Sequence, residues 1–122
     1  MLADQPGDAL AQTERALALT RERGERGLEA WALRLLGEVA SRRETPDLET
    51  AAGHYRQAIV LADDLGLHPL AACCHGGLGK LYRRMGKGAE AKAHLATAAT
   101  MFRQTGTRFW LEQAEAELGS LA

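Results

Sequence analysis

The sequence predicts an all-α chain of six helices, arranged as a short solenoid of antiparallel helical hairpins. Three observations carry that prediction. Leu-Gly pairs recur at Leu36-Gly37, Leu78-Gly79 and Leu118-Gly119, at intervals of 42 and 40 residues. Three further columns keep the same intervals: Gly24, Gly66 and Gly106; Ala16, Ala58 and Ala98; Ala9, Ala51 and Ala91. Unrelated Ala-rich helices would not hold one register across the intervening loops, so the columns mark an internal repeat. Finally, apolar residues recur at three- and four-residue spacings along the chain, with no strand-like alternation and no hairpin turn signal.

Taken in order, the first predicted helix spans about 8 to 23, with Leu10, Ala16 and Leu17 apolar and a polar face rich in Glu and Arg. Gly24 and Gly27 punctuate it, since glycine suits the left-handed turn just past a helix. The second helix, about 28 to 43, carries a wide stripe of Leu28, Trp31, Ala32, Leu35, Leu36, Val39 and Ala40, which is expected to be buried. Thr45-Pro46-Asp47 reads as a start signal, with Thr45 as the cap, Pro46 in the first helical position and Asp47 and Glu49 favouring the helix dipole. The third helix turns Leu48, Ala51, Ala52, Tyr55, Ala58, Ile59, Ala62 and Leu65 inward and stops at Gly66. A fourth, about 69 to 85, presents Leu70, Ala71, Cys74, Leu78, Leu81, Tyr82 and Met85 to the interior. The fifth, about 89 to 104, uses Ala91, Leu95, Ala98, Ala99 and Phe102, and the sixth, about 109 to 121, uses Trp110, Leu111, Ala114 and Leu118.

The repeated small residues are a packing code. Gly37, Gly79 and Gly119 allow a neighbouring helix to approach the backbone, and the alanine columns receive larger side chains such as Leu36, Leu78 and Tyr55. At 122 residues the chain is expected to be one domain, 1–122. Its 46% hydrophobic and 25% charged content is globular rather than disordered. A net charge of -1 offers no general attraction to nucleic acid or to an anionic membrane. No apolar run approaches the roughly 18 residues needed to span a bilayer, and no basic-then-apolar leader opens the chain. The expectation is a soluble, cytoplasmic protein. Cys73 and Cys74 are the only cysteines, and neighbours on a helix point about 100° apart, so they do not suit a disulfide with each other.

Leu78, Gly79, Tyr82, Gly86, Ala91, Leu95 and Ala98, preceded by Leu36, Gly37, Ala51, Tyr55 and Ala58, give the chain a pattern that resembles the tetratricopeptide repeat family. The intervals exceed the basic 34 residues of that family, so it looks like the longer-helix variety. The run from 77 to 87 is similar to arrays at the C-terminal ends of bacterial signalling ATPases and nucleotide-cyclase-linked regulators. The resemblance implies a right-handed superhelix and a protein-interaction scaffold with no enzymatic role, cofactor or metal. In that frame the chain divides into a half repeat at 8–24, repeats at 28–66 and 69–106, and a half repeat at 109–121. Trp110, Leu111 and Leu118 then look poorly covered, as in an excerpt of a longer array or in a small protein that self-associates through its ends.

The resemblance also implies that the second, fourth and sixth helices line a concave surface. Their outward residues would be Trp31, Arg34, Glu38 and Arg42, then Cys73, Gly76, Gly77, Lys80, Arg83 and Arg84, then Gln113. The five cations among them would make this surface locally positive and suit an acidic peptide or a C-terminal carboxylate. The family's carboxylate clamp pairs basic residues with asparagine, and this chain contains none. Gly76 and Gly77 lie inside a helix, where each costs about 1 kcal/mol relative to Ala, and serve either close packing or ligand access. His68 and His75 are seven apart beside Cys74, but no second cluster completes a metal set. His54 and His94 occupy equivalent columns and are expected at the surface. Ser41 and Ser120 are the only serines and no nucleophile or phosphate-loop motif occurs, so nothing points to catalysis.

Overall fold

A computed structural model of the chain describes residues 6–43 and 46–120. Six helices account for nearly all of them: α1 Pro6–Arg23, α2 Arg26–Ser41, α3 Leu48–Leu65, α4 His68–Arg84, α5 Gly88–Thr105 and α6 Arg108–Ser120. There is no strand among the described residues. Each helix packs against the next in sequence, and α2 also meets α4.

Helices α2, α4 and α6 begin two residues before the first apolar position of their predicted stripes and α5 three before, whereas α3 begins on Leu48 itself. The reason is that the backbone carbonyl just ahead of each already accepts a helical bond, as Leu67 O does from Ala71 N and Lys87 O from Ala91 N. Four helix exits share one geometry. At the exit of α3, Gly66 sits at φ 70°, Gly66 N donates to Asp63 O and Leu67 N reaches back to Ala62 O at 2.8 Å. The exits of α1, α4 and α5 repeat that long backward bond, from Glu25 N to Thr20 O, Lys87 N to Tyr82 O and Thr107 N to Phe102 O. This satisfies orphan carbonyls and reverses the chain within two or three residues.

The α2–α3 connection departs from this rule. It takes six residues where α4–α5 takes three, and α2 is one residue shorter than α4, which together produce the 42-residue interval where the other is 40. The start of α3 also differs from the expectation. Pro46 precedes the helix, and Asp47 is the cap: its Oδ1 accepts from Thr50 N at 3.1 Å and its Oδ2 accepts from the Thr50 hydroxyl at 2.7 Å. The expected cap, Thr45, lies outside the described residues.

The interior is built from the repeat columns. Leu36, Leu70, Leu78, Leu81, Leu95 and Cys74 are its largest fully enclosed side chains, and Ala51, Ala58, Ala91 and Ala98 are wholly buried beside them. The α2 stripe needs correction: Ala32, Leu36 and Ala40 are buried together with Ala30 and Leu33, whereas Leu28, Trp31 and Leu35 are 54%, 48% and 45% exposed. The stripe is narrower because Leu28, Trp31 and Leu35, three and four residues apart, share a face of α2 that is left open among the described residues. In α3 the roles of neighbours are exchanged, with Leu61 buried and Leu65 exposed, and Trp110 of α6 is also exposed.

Tyr55 shows what the glycines are for. A Cβ placed on Gly37 of α2 would lie 2.9 Å from one edge of its ring, and a Cβ on Gly77 of α4 would lie 2.8 Å from the opposite edge. The phenol is thus wedged between the backbones of two helices, and both sides have to be glycine. Gly79 does the same for α5: a Cβ there would meet Leu95 Cγ at 2.5 Å and the Ala91 carbonyl oxygen at 3.2 Å. At Gly119, the third member of the column, a Cβ would meet nothing within 4 Å.

Candidate ligand-binding groove

Because α2, α4 and α6 alternate with α3 and α5, they can present one face in common. An open pocket of about 400 Å³ lies on that face. Its walls are Arg34, Glu38, Ser41 and Arg42 of α2, Cys73, Gly76, Gly77, Lys80, Leu81 and Arg84 of α4, and Trp110, Gln113 and Ala114 of α6. Tyr55 of α3 and Leu95 and Phe102 of α5 complete the lining. Nine of the eleven residues named from sequence therefore meet around one space, and two do not. Trp31 stands beside it, with the Arg34 guanidinium carbon 5.5 Å from its ring centroid. Arg83 leaves the pocket to pair with α6, its Nη1 donating to Glu117 Oε1 at 2.6 Å.

The positive character is less free than a count of cations implies. Arg42 pairs with Glu38 one turn back at 3.4 Å. Arg84 Nη1 donates to the carbonyl of Ser41 at 2.9 Å, satisfying one of the last orphan acceptors of α2 and tying α4 to it. Arg34 lies over Trp31, a contact of cation–π type. Lys80 is exposed and has no ion-pair partner among the described residues, which makes it the cation most available to a ligand.

The two groove glycines separate. Gly77 is required by Tyr55, whereas a Cβ on Gly76 would meet only the Ala98 methyl at 3.9 Å, an ordinary contact. Gly76 is open for reasons that packing does not supply. Cys73 is half-buried in the wall and Cys74 is fully enclosed behind it. Burial pushes both thiols up, Cys74 to about 12, so neither is a ready thiolate at neutral pH. The Tyr55 phenol is also pushed up to about 12 by burial and stays protonated. Its hydroxyl has no hydrogen-bond partner among the described residues, and it borders the pocket.

Reasoning from sequence missed the pocket roles of Ser41, Tyr55, Leu81, Leu95, Phe102, Trp110 and Ala114. Tyr55 was legible as a large residue facing the glycine column, but not as one whose far end reaches the other side. The histidines also differ from the expectation. His54 and His94 are half-buried rather than surface residues. His94 meets His75 with ring centroids 5.2 Å apart and the two Nδ1 atoms at 3.0 Å, while His54 Nδ1 is buried without a partner among the described residues. His75 thus pairs across to α5 rather than along α4 to His68, and no group of three or more metal-ligating side chains converges among the described residues. Among the described residues no helix is long and apolar enough to cross a membrane. No protein-family model matches the chain, and no curated protein matches it in sequence.

Proposed function

We propose that the chain is a tetratricopeptide-type scaffold that binds a peptide segment of another protein, acidic in character, in the groove lined by α2, α4 and α6. The observation that carries this reading is the pocket itself. Four cations and one carboxylate surround an apolar floor of Leu81, Leu95, Phe102 and Ala114, so the surface is matched to a segment with carboxylates beside an apolar anchor. The alternation of helices and the 42- and 40-residue columns support a superhelical array, and the resemblance extends the reading to a part of a larger bacterial signalling or regulatory protein. On this reading the chain carries no chemistry of its own and needs no cofactor.

Selection of randomly displayed peptides on the purified chain tests the proposal. The enriched set should be more acidic than the input, and Lys80→Glu should abolish its capture while leaving the thermal transition in place. An enriched set no more acidic than the input would overturn the reading. Arg84 is a poorer probe, because its contact with Ser41 makes it structural as well.

A second reading, end-to-end assembly, is favoured by a different observation. Ala58 and Ala98 are wholly buried, but the equivalent Ala16 is exposed; Leu36 and Leu78 are enclosed, but the equivalent Leu118 is only half-buried. Self-association that depends on concentration and is indifferent to Lys80→Glu would establish that use of the ends.

A further inference from the structure

A pair of titratable groups in direct contact lies outside the charged wall of the groove. His75 on α4 and His94 on α5 bring their Nδ1 atoms to 3.0 Å with the ring planes 25° apart and the centroids 5.2 Å apart, so the rings meet edge to edge. At that separation one ring carries Nδ1–H and donates to the bare Nδ1 of its partner. A first added proton can be taken at the Nε2 of the donor ring, which leaves the bond in place and makes it charge-assisted. A second has only the accepting Nδ1 left to occupy. It then sets two N–H groups and two positive rings against each other, and the contact cannot survive.

The surroundings do not offset that repulsion. Partial burial is the main influence on both rings and disfavours the charged form. Asp63 of α3 favours a charge on His75, and Glu90 of α5 favours one on His94. Against them stands Arg56 of α3, held near by the bond from its Nη1 to the Tyr82 hydroxyl at 2.6 Å, while the Tyr82 ring lies 5.5 Å from that of His94. Lys87 lies over the other partner of this group, its Nζ 5.6 Å from the Tyr82 ring centroid. The position of the pair also matters. His75 directly precedes Gly76 and Gly77, and His94 directly precedes Leu95, the residue that fills the notch at Gly79.

We propose that the His75–His94 couple is an acid-releasable clasp between α4 and α5, closed by one shared Nδ1 hydrogen bond at neutral pH and opened when the second ring is protonated. Opening frees the weakest stretch of α4, at its paired glycines, and the seat of Leu95, both of which line the groove. The clasp belongs to the hairpin itself, whatever the groove holds.

The sign follows from linkage. Both rings titrate below the ordinary histidine value of about 6.5 in the folded chain, so the unfolded chain takes up protons first. Stability is complete above that value and is lost as pH falls through the window beneath it. Two histidines give a drop in the folding equilibrium constant of up to about a hundredfold per pH unit within that window. The test is denaturant unfolding of the chain between pH 7.5 and 5, beside the same series for the double variant His75→Phe/His94→Phe, which keeps an aromatic ring at each position and removes the protons. The wild-type slope should exceed that of the variant, whose residual slope reports His54. Nitrogen-15 spectra of the wild-type imidazoles provide a second readout that needs no variant. They should show one protonated and one bare Nδ1 at neutral pH, and two separated titration steps on acidification. Equal slopes in a folded double variant, or two rings that titrate together near 6.5 as independent groups, would overturn the proposal.

Discussion

Tyr55 concentrates the packing logic of the chain in one side chain. Its ring is held on both edges by glycine backbones, so it cannot retreat from one without striking the other. Gly77→Ala should therefore destabilise the fold by up to about 2 kcal/mol, because overpacking of roughly 1–3 kcal/mol is only partly offset by the helix-propensity gain of about 1 kcal/mol. Gly76→Ala has only that gain and an open neighbour, so it should stabilise by up to about 1 kcal/mol. Denaturant midpoints of the two variants, one residue apart, check the difference; equal shifts would refute the wedge. Sequence showed the glycine pair but could not divide it, since both residues lie on the groove side of α4 and only the position of Tyr55 distinguishes them. The histidines were misread for a related reason. An interval of 40 between His54 and His94 marks a shared column, but the column is half-buried, and whether a partner stands opposite depends on the facing helix. His94 has His75 there; His54 has none among the described residues.

At the scale of the element, helix number and order were legible because the 3.6-residue period and the glycine exits are local properties. The ends were less so, and α3 shows why. Thr45, Pro46 and Asp47 are all residues that favour a helix start, and which of them becomes the cap is decided by the reach of the carboxylate to Thr50. The Thr50 hydroxyl, followed by its backbone amide, holds the Asp47 carboxyl below the usual carboxylate value. A depressed carboxyl stabilises above its unfolded value and loses that contribution as pH falls through the folded one. Asp47→Ala should accordingly lower the thermal midpoint at neutral pH, and the gap from wild type should narrow progressively in acid. A gap that stays constant down to the pH at which carboxylates are protonated would show that Asp47 acts by packing rather than charge. The cap carries added weight because the six-residue entry to α3 is the longest connection between helices, with no tight glycine reversal to restrain it.

For the whole molecule, the links that set one hairpin against the next span about one repeat. Arg83 pairs with Glu117, Lys87 with Glu49, and Arg84 with the Ser41 carbonyl. None is written in a local pattern, which is why Arg83 was expected in the groove and instead holds α6. Such exposed pairs are worth about 0–1 kcal/mol each, so they orient the hairpins more than they stabilise them. The ends of the array bear on the choice between the two proposed uses. Gly119 lies in the column that elsewhere admits a mate, yet its face is open, and Phe109 and Trp110 are 60% and 45% exposed on the same helix. A Cβ at 119 would meet nothing within 4 Å, so Gly119→Arg should leave the thermal midpoint unchanged or slightly raised. In an end-to-end assembly the same side chain would project into the interface and disperse it. Sedimentation velocity across a concentration series distinguishes the cases: dispersal by Gly119→Arg but not by Lys80→Glu places contact at the ends, whereas peptide capture lost with Lys80→Glu and kept with Gly119→Arg places function in the groove. Because the two substitutions lie on separate surfaces, their effects on folding should add, and any deviation beyond about 0.5 kcal/mol would mean that the groove and the α6 end are mechanically one unit.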